Sequence, residues 1–512
     1  MSPSVTFNPN RTLLWQRARQ AGLVTAIGLA LAGCAVGPNF RPPQLPSAAQ
    51  GPDYTPTPLP AKTAQAPVAD GQAQEWAKGS DIPAQWWSVF HSGPLDQLIR
   101  SALEHNPTLA SAQAALREAQ ENYRAQAGSL LPSADAQLGV EREHASAVST
   151  GVPGGELLSL VNAQVNVSYT LDVFGGVRRQ IEGAQAAVDA QRYQVEAAYL
   201  TLTGNVVTTA IKEASLRAQL QATREVLANQ QQQLAVLEKQ FDTGATPKST
   251  VLAQRTEVAQ TLATLPALEK SLAQTRHQLS VYAGRLPSEA GLPEFELADL
   301  SLPQTLPLSL PSELARQRPD VRASEALLHQ ASAQVGVATA NLYPQIQLSA
   351  SYGSTALTTS ELFSPAWSFW SLAGGLTQPL FHGGTLKAKQ RAAIAAFDQA
   401  AAQYRGTLLT AFQNVADALR AVQFDAATLK SQADAEASAK ESLDMATQQY
   451  RDGAVSYVQL LTAQQAWLQT HTALVQAQAA RYADTAALFQ ALGGGWWNRG
   501  PLADASITPA QK

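Results

Sequence analysis

Val161-Asn162-Ala163-Gln164-Val165-Asn166-Val167-Ser168-Tyr169-Thr170-Leu171-Asp172 alternates apolar and polar residues without a break. Successive side chains of an extended strand point to opposite faces, so this stretch reads as a strand with one oily and one wet side. Ile346, Leu348, Ala350 and Tyr352 alternate in the same way with Gln345, Gln347, Ser349 and Ser351, and Ala134, Ala136, Leu138 and Val140 do so more weakly. A fourth strand is expected over about Trp367 to Leu380, where Trp367, Phe369 and Trp370 would form an interfacial aromatic girdle. Alternation over about ten residues matches a membrane β-strand between lipid and a watery lumen. A half-buried antiparallel sheet in a water-soluble protein alternates identically. Four strands in lipid would leave two edges of unpaired N–H and C=O groups, each costing several kcal/mol. Bacterial barrels have about eight strands or more, so strands from at least two chains would have to close one barrel.

Working outward, the strands sit in a duplicated plan. Asn106-Pro107 opens a helical segment closed by Leu131-Pro132, and Arg318-Pro319 opens another closed by Tyr343-Pro344. Phe174-Gly175-Gly176 returns as Phe381-His382-Gly383-Gly384. Asn205-Val206 returns as Asn414-Val415, and Phe241-Asp242-Thr243-Gly244-Ala245 returns as Tyr450-Arg451-Asp452-Gly453-Ala454. Landmarks that keep nearly one spacing over such a distance mark an internal repeat. Each unit reads as short helix, two strands, long helix, tight turn and medium helix. Gly176 to Asp242 holds no proline, nor does Gly384 to Asp452, and each would form a helix of roughly 100 Å. The short helices and the medium helices (about Lys248 to Gly284 and about Tyr457 to Leu492) together match that length and could stack end to end beside it. Leu220, Leu227, Leu234 and Phe241 fall seven apart, with Leu216 and Leu237 at the alternate seam positions. Leu429, Leu443 and Tyr450 repeat the register, broken once at Glu436. The remaining surface is rich in Ala and Gln, including Gln230 to Gln233, which suits close helix packing and a face lining water. A rod-like coiled coil without a channel shows the same seam, but the embedded strands argue against it.

The ends bound the setting. Arg11, Arg17 and Arg19 precede an apolar run from Ala21 to Leu31, too short to span a bilayer but suited to a signal segment. It ends in Leu31-Ala32-Gly33-Cys34, the pattern of a lipobox, and Cys34 is the only cysteine, which excludes a disulfide or a cysteine metal site within the chain. Acyl chains on Cys34 would anchor the mature protein. Ala35 follows, and the absence of aspartate there favours the outer membrane. Nine prolines between Gly37 and Lys78 suggest an extended arm that gives the anchor reach. The expected organisation is therefore a signal peptide over 1–33, an arm over 34–80, a first repeat over 81–285, a Pro-rich linker over 286–313, a second repeat over 314–495 and a tail over 496–512. After the signal no apolar run approaches the length of a spanning helix. A net charge of -4 without Lys/Arg clusters excludes a strongly basic nucleic-acid binder.

Together these marks resemble the TolC-type outer-membrane factors, in particular the lipidated NodT-like branch that works with resistance–nodulation–division (RND) pumps. The resemblance covers nearly all of Cys34 to Gly495. It is carried by Cys34-Ala35-Val36-Gly37-Pro38-Asn39-Phe40 with Pro42, Trp86-Trp87-Ser88-Val89-Phe90 leading to Leu95 and Leu98, the two proline openings, the Phe-Gly-Gly turns and Tyr450-Arg451-Asp452-Gly453. It implies a mixed α and membrane-β fold, internally duplicated and trimeric. Four strands per chain would close a twelve-stranded outer-membrane barrel over a long periplasmic helical barrel, with a collar from the Trp86-Trp87 region, the linker and the C-terminal end. It implies a lipid-anchored exit duct for small toxic molecules and drugs, carrying S-diacylglycerol and N-palmitoyl on Cys34 and needing no cofactor or metal. Its partners would be a periplasmic adaptor (membrane fusion) protein, meeting the hairpin tips at Thr243, Gly244, Ala245, Lys248, Gly453 and Ala454, and an inner-membrane RND pump. Family members narrow the periplasmic end partly with aspartates. Here those positions fall on Gln459 and Thr462, leaving Asp452, Tyr457 and Leu461 as further candidates for the aperture.

No enzyme signature competes. The seven histidines (His91, His105, His144, His277, His329, His382 and His471) form no paired metal motif, and there is no nucleophile elbow, Walker loop or dinucleotide fingerprint. The Gly-rich stretches at Gly151 to Gly155 and Gly493 to Gly495 fall in an expected external loop and after the last helix, where loop flexibility explains them. A type I protein-secretion duct shares the architecture, and a lipid-anchored periplasmic coiled-coil scaffold shares the helices.

Overall fold

The computed structural model describes residues 35–46, 51, 53–146, 148 and 153–500. The signal segment and Cys34 lie outside the described residues, as does the tail beyond Gly500. In chain order the elements are β1 (Glu75–Lys78), α1 (Gly93–His105), α2 (Pro107–Gly128), β2 (Ser133–Ala145), β3 (Glu156–Leu171), α3 (Gly176–Asp242) and α4 (Lys248–Tyr282). They continue with β4 (Thr305–Leu308), α5 (Pro311–Gln317), α6 (Pro319–Ala340), β5 (Gln345–Ala356), β6 (Ser368–Thr377), α7 (Thr385–Arg451) and α8 (Tyr457–Ala491). The duplication is metrical: α2 and α6 each have 22 residues, α3 and α7 each 67, and α4 and α8 each 35.

Two compact units emerge, and neither is a repeat. One contains residues 117–189 and 325–403 with the chain start, the other residues 43–116, 190–324 and 404–512. The long helices run through both, so each unit draws equally on the two sequence halves. An apolar helix stripe must be buried against another element, and here each half finds that partner in the other half.

In the first unit an antiparallel sheet has the order β2-β3-β5-β6. The register sets Leu138 opposite Ala163, Val165 opposite Tyr352, and Ala350 opposite Leu372. Beside the sheet the chain start is held down. The Val36 N–H donates to Phe174 O at 3.0 Å, and the buried Arg179 donates to Asn39 Oδ1 at 2.7 Å and to Glu182 at 2.6 Å. Glu182 also meets His329 Nε2 at 2.8 Å, and Phe40 stacks on the His329 ring at 4.4 Å. The start of the arm therefore does not supply reach, because a guanidinium and an imidazole fix residues 36–40 to helices.

In the second unit the rest of the arm is equally committed. β1 pairs in parallel with β4 of the linker, and Thr63, Ala66 and Gln74 are buried. The core centres on Trp86, stacked on Phe489 at 5.9 Å, with Phe90 against Tyr482. α4 and α2 meet end to end, as do α8 and α6. Asn106 accepts from the N–H groups of Thr108 and Leu109 while its Nδ2 donates to Tyr282 O at 3.0 Å. In the other half Arg318 Nη1 donates to Ala491 O at 3.1 Å. Asn106 thus satisfies orphan groups of both helix ends that face each other, whereas Arg318 serves the end of α8 and Asp320 accepts from the Val321 N–H at the start of α6. The sequence reading missed α1, α5, β1 and β4. Proline in the first turn of α1 and α5 was the available signal.

Leu216, Leu220, Leu227, Leu237 and Leu429 are buried, as the heptad register requires. Phe241 departs from it and stands exposed at the tip. Glu436, which breaks the second register, accepts from Trp467 Nε1 at 3.0 Å and contacts His471 Nδ1 at 3.1 Å. The break is a satisfied polar contact between α7 and α8.

Candidate functional site

Pairing register settles how the two faces of the sheet are divided. One face carries Ala134, Ala136, Leu138, Val140, Val161, Ala163, Val165, Val167, Tyr169 and Leu171, continuing through Ile346, Leu348, Ala350, Tyr352, Trp370, Leu372 and Leu376. The other carries Asp135, Gln137, Asn162, Gln164, Asn166, Ser168, Gln347, Ser349, Ser351, Ser371 and Thr377. The wet face is cross-linked by side chains: Gln164 Nε2 donates to Gln137 Oε1 at 3.0 Å, and hydroxyl pairs join Ser133 to Ser168 at 2.9 Å and Ser351 to Ser371 at 2.8 Å. Large apolar side chains on the other face lie open, among them Leu138 at 74 %, Trp370 at 76 % and Leu372 at 76 % exposed. A water-soluble sheet would cover such a face, so lipid is the medium it fits. The expected aromatic girdle is corrected here. Phe369 points to the wet face because adjacent strand residues alternate, and Trp367 belongs to a short turn before β6, leaving Trp370 alone on the oily side. Both outer edges, β2 and β6, have no strand partner within the chain among the described residues.

The second surface is the pair of hairpin tips. α3 ends when Gly244 takes φ +73°, with Ala245 N–H donating to Gln240 O and Gly244 N–H to Phe241 O. α7 ends identically at Gly453, φ +73°, through Ala454 N–H to Gln449 O and Gly453 N–H to Tyr450 O. This left-handed cap closes the last carbonyls with glycine, the residue that adopts a positive φ without strain. Thr243, Gly244, Ala245, Lys248, Gly453 and Ala454 are all exposed. Behind the tips a groove of about 680 Å³ is lined by residues of α3, α7 and α8, including Gln233, Gln240, Tyr450, Arg451 and Trp467.

The aperture candidates divide. Tyr457 and Leu461 are buried in a tip core with Leu237, Val251 and Leu460, and the Tyr457 hydroxyl bonds the buried Gln254. Burial pushes the Tyr457 hydroxyl pKa up. Their bulk is used inside the protomer, which corrects the expectation that they narrow an opening. Asp452, Gln459 and Thr462 are exposed. Gln459 closes a capping box with Ser456, Thr462 Oγ1 returns its hydrogen bond to Val458 O, and Asp452 accepts from Gln448.

Among the described residues no helix is long and apolar enough to cross a membrane, and no group of three His, Cys, Asp or Glu side chains could hold a metal ion.

An amphipathic sheet with open edges, joined to two long helical hairpins, defines an outer-membrane channel of the efflux type. The chain belongs to the outer membrane efflux protein family, which matches it twice, over residues 98–285 and 310–494. The two matches follow the duplication. The chain is 31% identical over 440 residues to the pyoverdine export outer membrane protein OpmQ of Pseudomonas putida, covering 84% of this chain and 92% of that one. It is 28% identical over 473 residues to the cation efflux system protein CusC of Escherichia coli O6:H1, covering 92% and 97%. Among solved structures, the outer-membrane channel OprN superposes with a TM-score of 0.81 at 26% identity, over 90% of this chain and 100% of that one. The protein is accordingly an outer-membrane efflux channel with a TolC-like fold.

Proposed function

We propose that three copies of this chain close a twelve-stranded barrel in the outer membrane and form the passive exit duct of a tripartite RND-type efflux system. The carrying observation is the sheet, which offers one mainly apolar face, one mainly polar face and, among the described residues, two edges without a strand partner. Backbone groups facing hydrocarbon need partners, and one chain of this length of sheet cannot supply them. Energy comes from an inner-membrane pump through a periplasmic adaptor that grips the exposed tips around Gly244 and Gly453. Asp452, Gln459 and Thr462 are the residues left to shape the periplasmic opening, without a ring of aspartates at the last two positions. Cys34 carries S-diacylglycerol and N-palmitoyl groups and anchors the mature chain. The cargo is small molecules, in keeping with relatives named for export of pyoverdine, cations and toluene. No cofactor takes part.

Deleting the gene in a host stripped of redundant outer-membrane channels should sensitise it to pump substrates, and the gene restored on a plasmid should reverse this. Unchanged sensitivity across a broad panel of dyes, antibiotics, metal ions and solvents would contradict the proposal.

A further inference from the structure

The oily face of the sheet changes character at one end. Arg142 and His144 share that face with Ala134, Ala136, Leu138 and Val140, because the pairing of β2 with β3 runs unbroken from Ser133 to Ala145. They are the only basic side chains on that face of the described sheet, and no acidic one joins them, since Glu141 and Glu143 alternate to the wet side. Both are exposed, and neither has a hydrogen-bond or ion-pair partner among the described residues. Their height along the strand explains how lipid tolerates them. The helices adjoin the Ser133 end of β2, so Arg142 and His144 lie towards the opposite end. They stand eight and ten residues beyond Ala134, about 26 and 33 Å along the strand. With strands tilted by about 40°, that is a rise of roughly 20 and 25 Å, against an apolar band about 25 Å tall. A cation is costly at the middle of such a band and nearly free at its edge, where it reaches the headgroups.

The same face holds a hollow of about 600 Å³, walled by Leu138, Val165 and Tyr352 of three strands and by Leu362 and Phe363 of the β5–β6 connection. That connection folds back over the oily face, with Leu362 buried against Val161 and Ala356 while Phe363 stands exposed. An apolar hollow beside two unpartnered cations is the chemistry of a lipid site rather than of bulk hydrocarbon. We infer that it binds a phosphorylated glycolipid of the outer leaflet, lipid A in a bacterial outer membrane, a reading that rests on the barrel proposed above. One acyl chain fills the hollow, and a phosphate accepts hydrogen bonds from the Arg142 guanidinium, whose fork suits phosphate oxygens, and from the His144 ring. Position selects this occupant: the site lies at the end of the sheet away from the helices, in the leaflet that holds lipid A rather than glycerophospholipid. The Pro132 and Pro344 landmarks carry Arg142 and His144 onto Ser354 and Ala356, so the second repeat has no counterpart and each chain has one site.

The test counts lipids on the purified full-length protein in detergent by native mass spectrometry, with single-channel current recorded from the same preparation. Lipid A should bind at one copy per chain, and dephosphorylated lipid A or phosphatidylglycerol at least fivefold more weakly. Arg142→Gln with His144→Gln should lower lipid A binding at least fivefold, and Arg142→Lys alone should stay near the parent. Ala163→Phe, which fills the hollow and leaves both cations, should also weaken binding. Equal binding of the phosphorylated and dephosphorylated lipids overturns the proposal, as does a double variant that binds like the parent. Phosphatidylglycerol binding as tightly as lipid A overturns the choice of occupant. The comparison of lipids uses the unaltered protein, so it decides even where a variant misfolds. Particles that conduct but show no preference for lipid A strike the site alone; particles that never conduct strike the barrel reading.

Discussion

The four helices that end in a glycine cap use one motif in two opposite ways. At the tips, Gly244 and Gly453 have φ +73° and no atom within 4 Å of a built Cβ. At the junctions, Gly284 (φ +72°) and Gly493 (φ +97°) turn the chain the same way, but a Cβ would stand 2.3 Å from His105 O and 2.7 Å from Gln317 O. The cap is thus a fixed joint where two helices abut and a free surface where the hairpin turns. Backbone geometry alone would treat all four alike; burial separates them. The lesson is that this molecule concentrates its cost of change at the junctions and leaves the tips open for contact.

The largest effect expected from that contrast comes from Gly284→Ala or Gly493→Ala. Each combines a left-handed φ with a backbone clash, and should cost about 3 kcal/mol or more, read as lost folded protein in thermal melts of membrane extracts. Next comes Arg481, fully buried on α8, which donates to Asp70 O at 3.0 Å, Gln72 O at 2.5 Å and Gln74 Oε1 at 3.2 Å. Arg481→Met would strand those acceptors and should cost roughly 2–4 kcal/mol in denaturant unfolding. A smaller, pH-dependent effect belongs to Asp425. Burial, and then Asp484 sharing a hydrogen bond with it, raise its carboxyl pKa to about 7. The folded chain therefore keeps a proton that the unfolded chain releases above about pH 4, so this contribution to stability is present in acid and is lost as pH climbs towards 7. Asp425→Asn should flatten that part of the profile and raise Tm at pH 8 relative to the parent, with little change at pH 4. The smallest effect is at the tips: Gly244→Ala and Gly453→Ala should cost only about 1 kcal/mol each. If they prove as damaging as the junction variants, the contrast between the two ends fails.

Much of this was legible in the sequence, for reasons that differ by element. The helices of 67 residues were plain because nothing inside them breaks a helix and glycine turns bracket them. The oily face of β3 and β5 was plain because period-2 alternation follows from strand geometry. Phe369 was misplaced because β6 alternates poorly, with Gly374 and Gly375 interrupting it, and only the pairing to Gly353 fixes its side. Tyr457 and Leu461 were misread because an apolar residue near a helix start can face a lumen or a neighbour. The contact between Tyr457 and Gln254, far apart in the chain, decides for the neighbour. The clasp of Arg179, Glu182 and His329 on residues 36–40 left no local pattern, since its parts come from three distant segments.

One measurement bears most directly on the claim that this sheet must be shared: the mass of the conducting species, taken on purified protein in lipid bilayers with single-channel current recorded from the same preparation. The account predicts discrete, long-lived conductance steps from particles holding three chains. Single chains stable in lipid, or three-chain particles that pass no ions even with the periplasmic tips removed or opened, would contradict it.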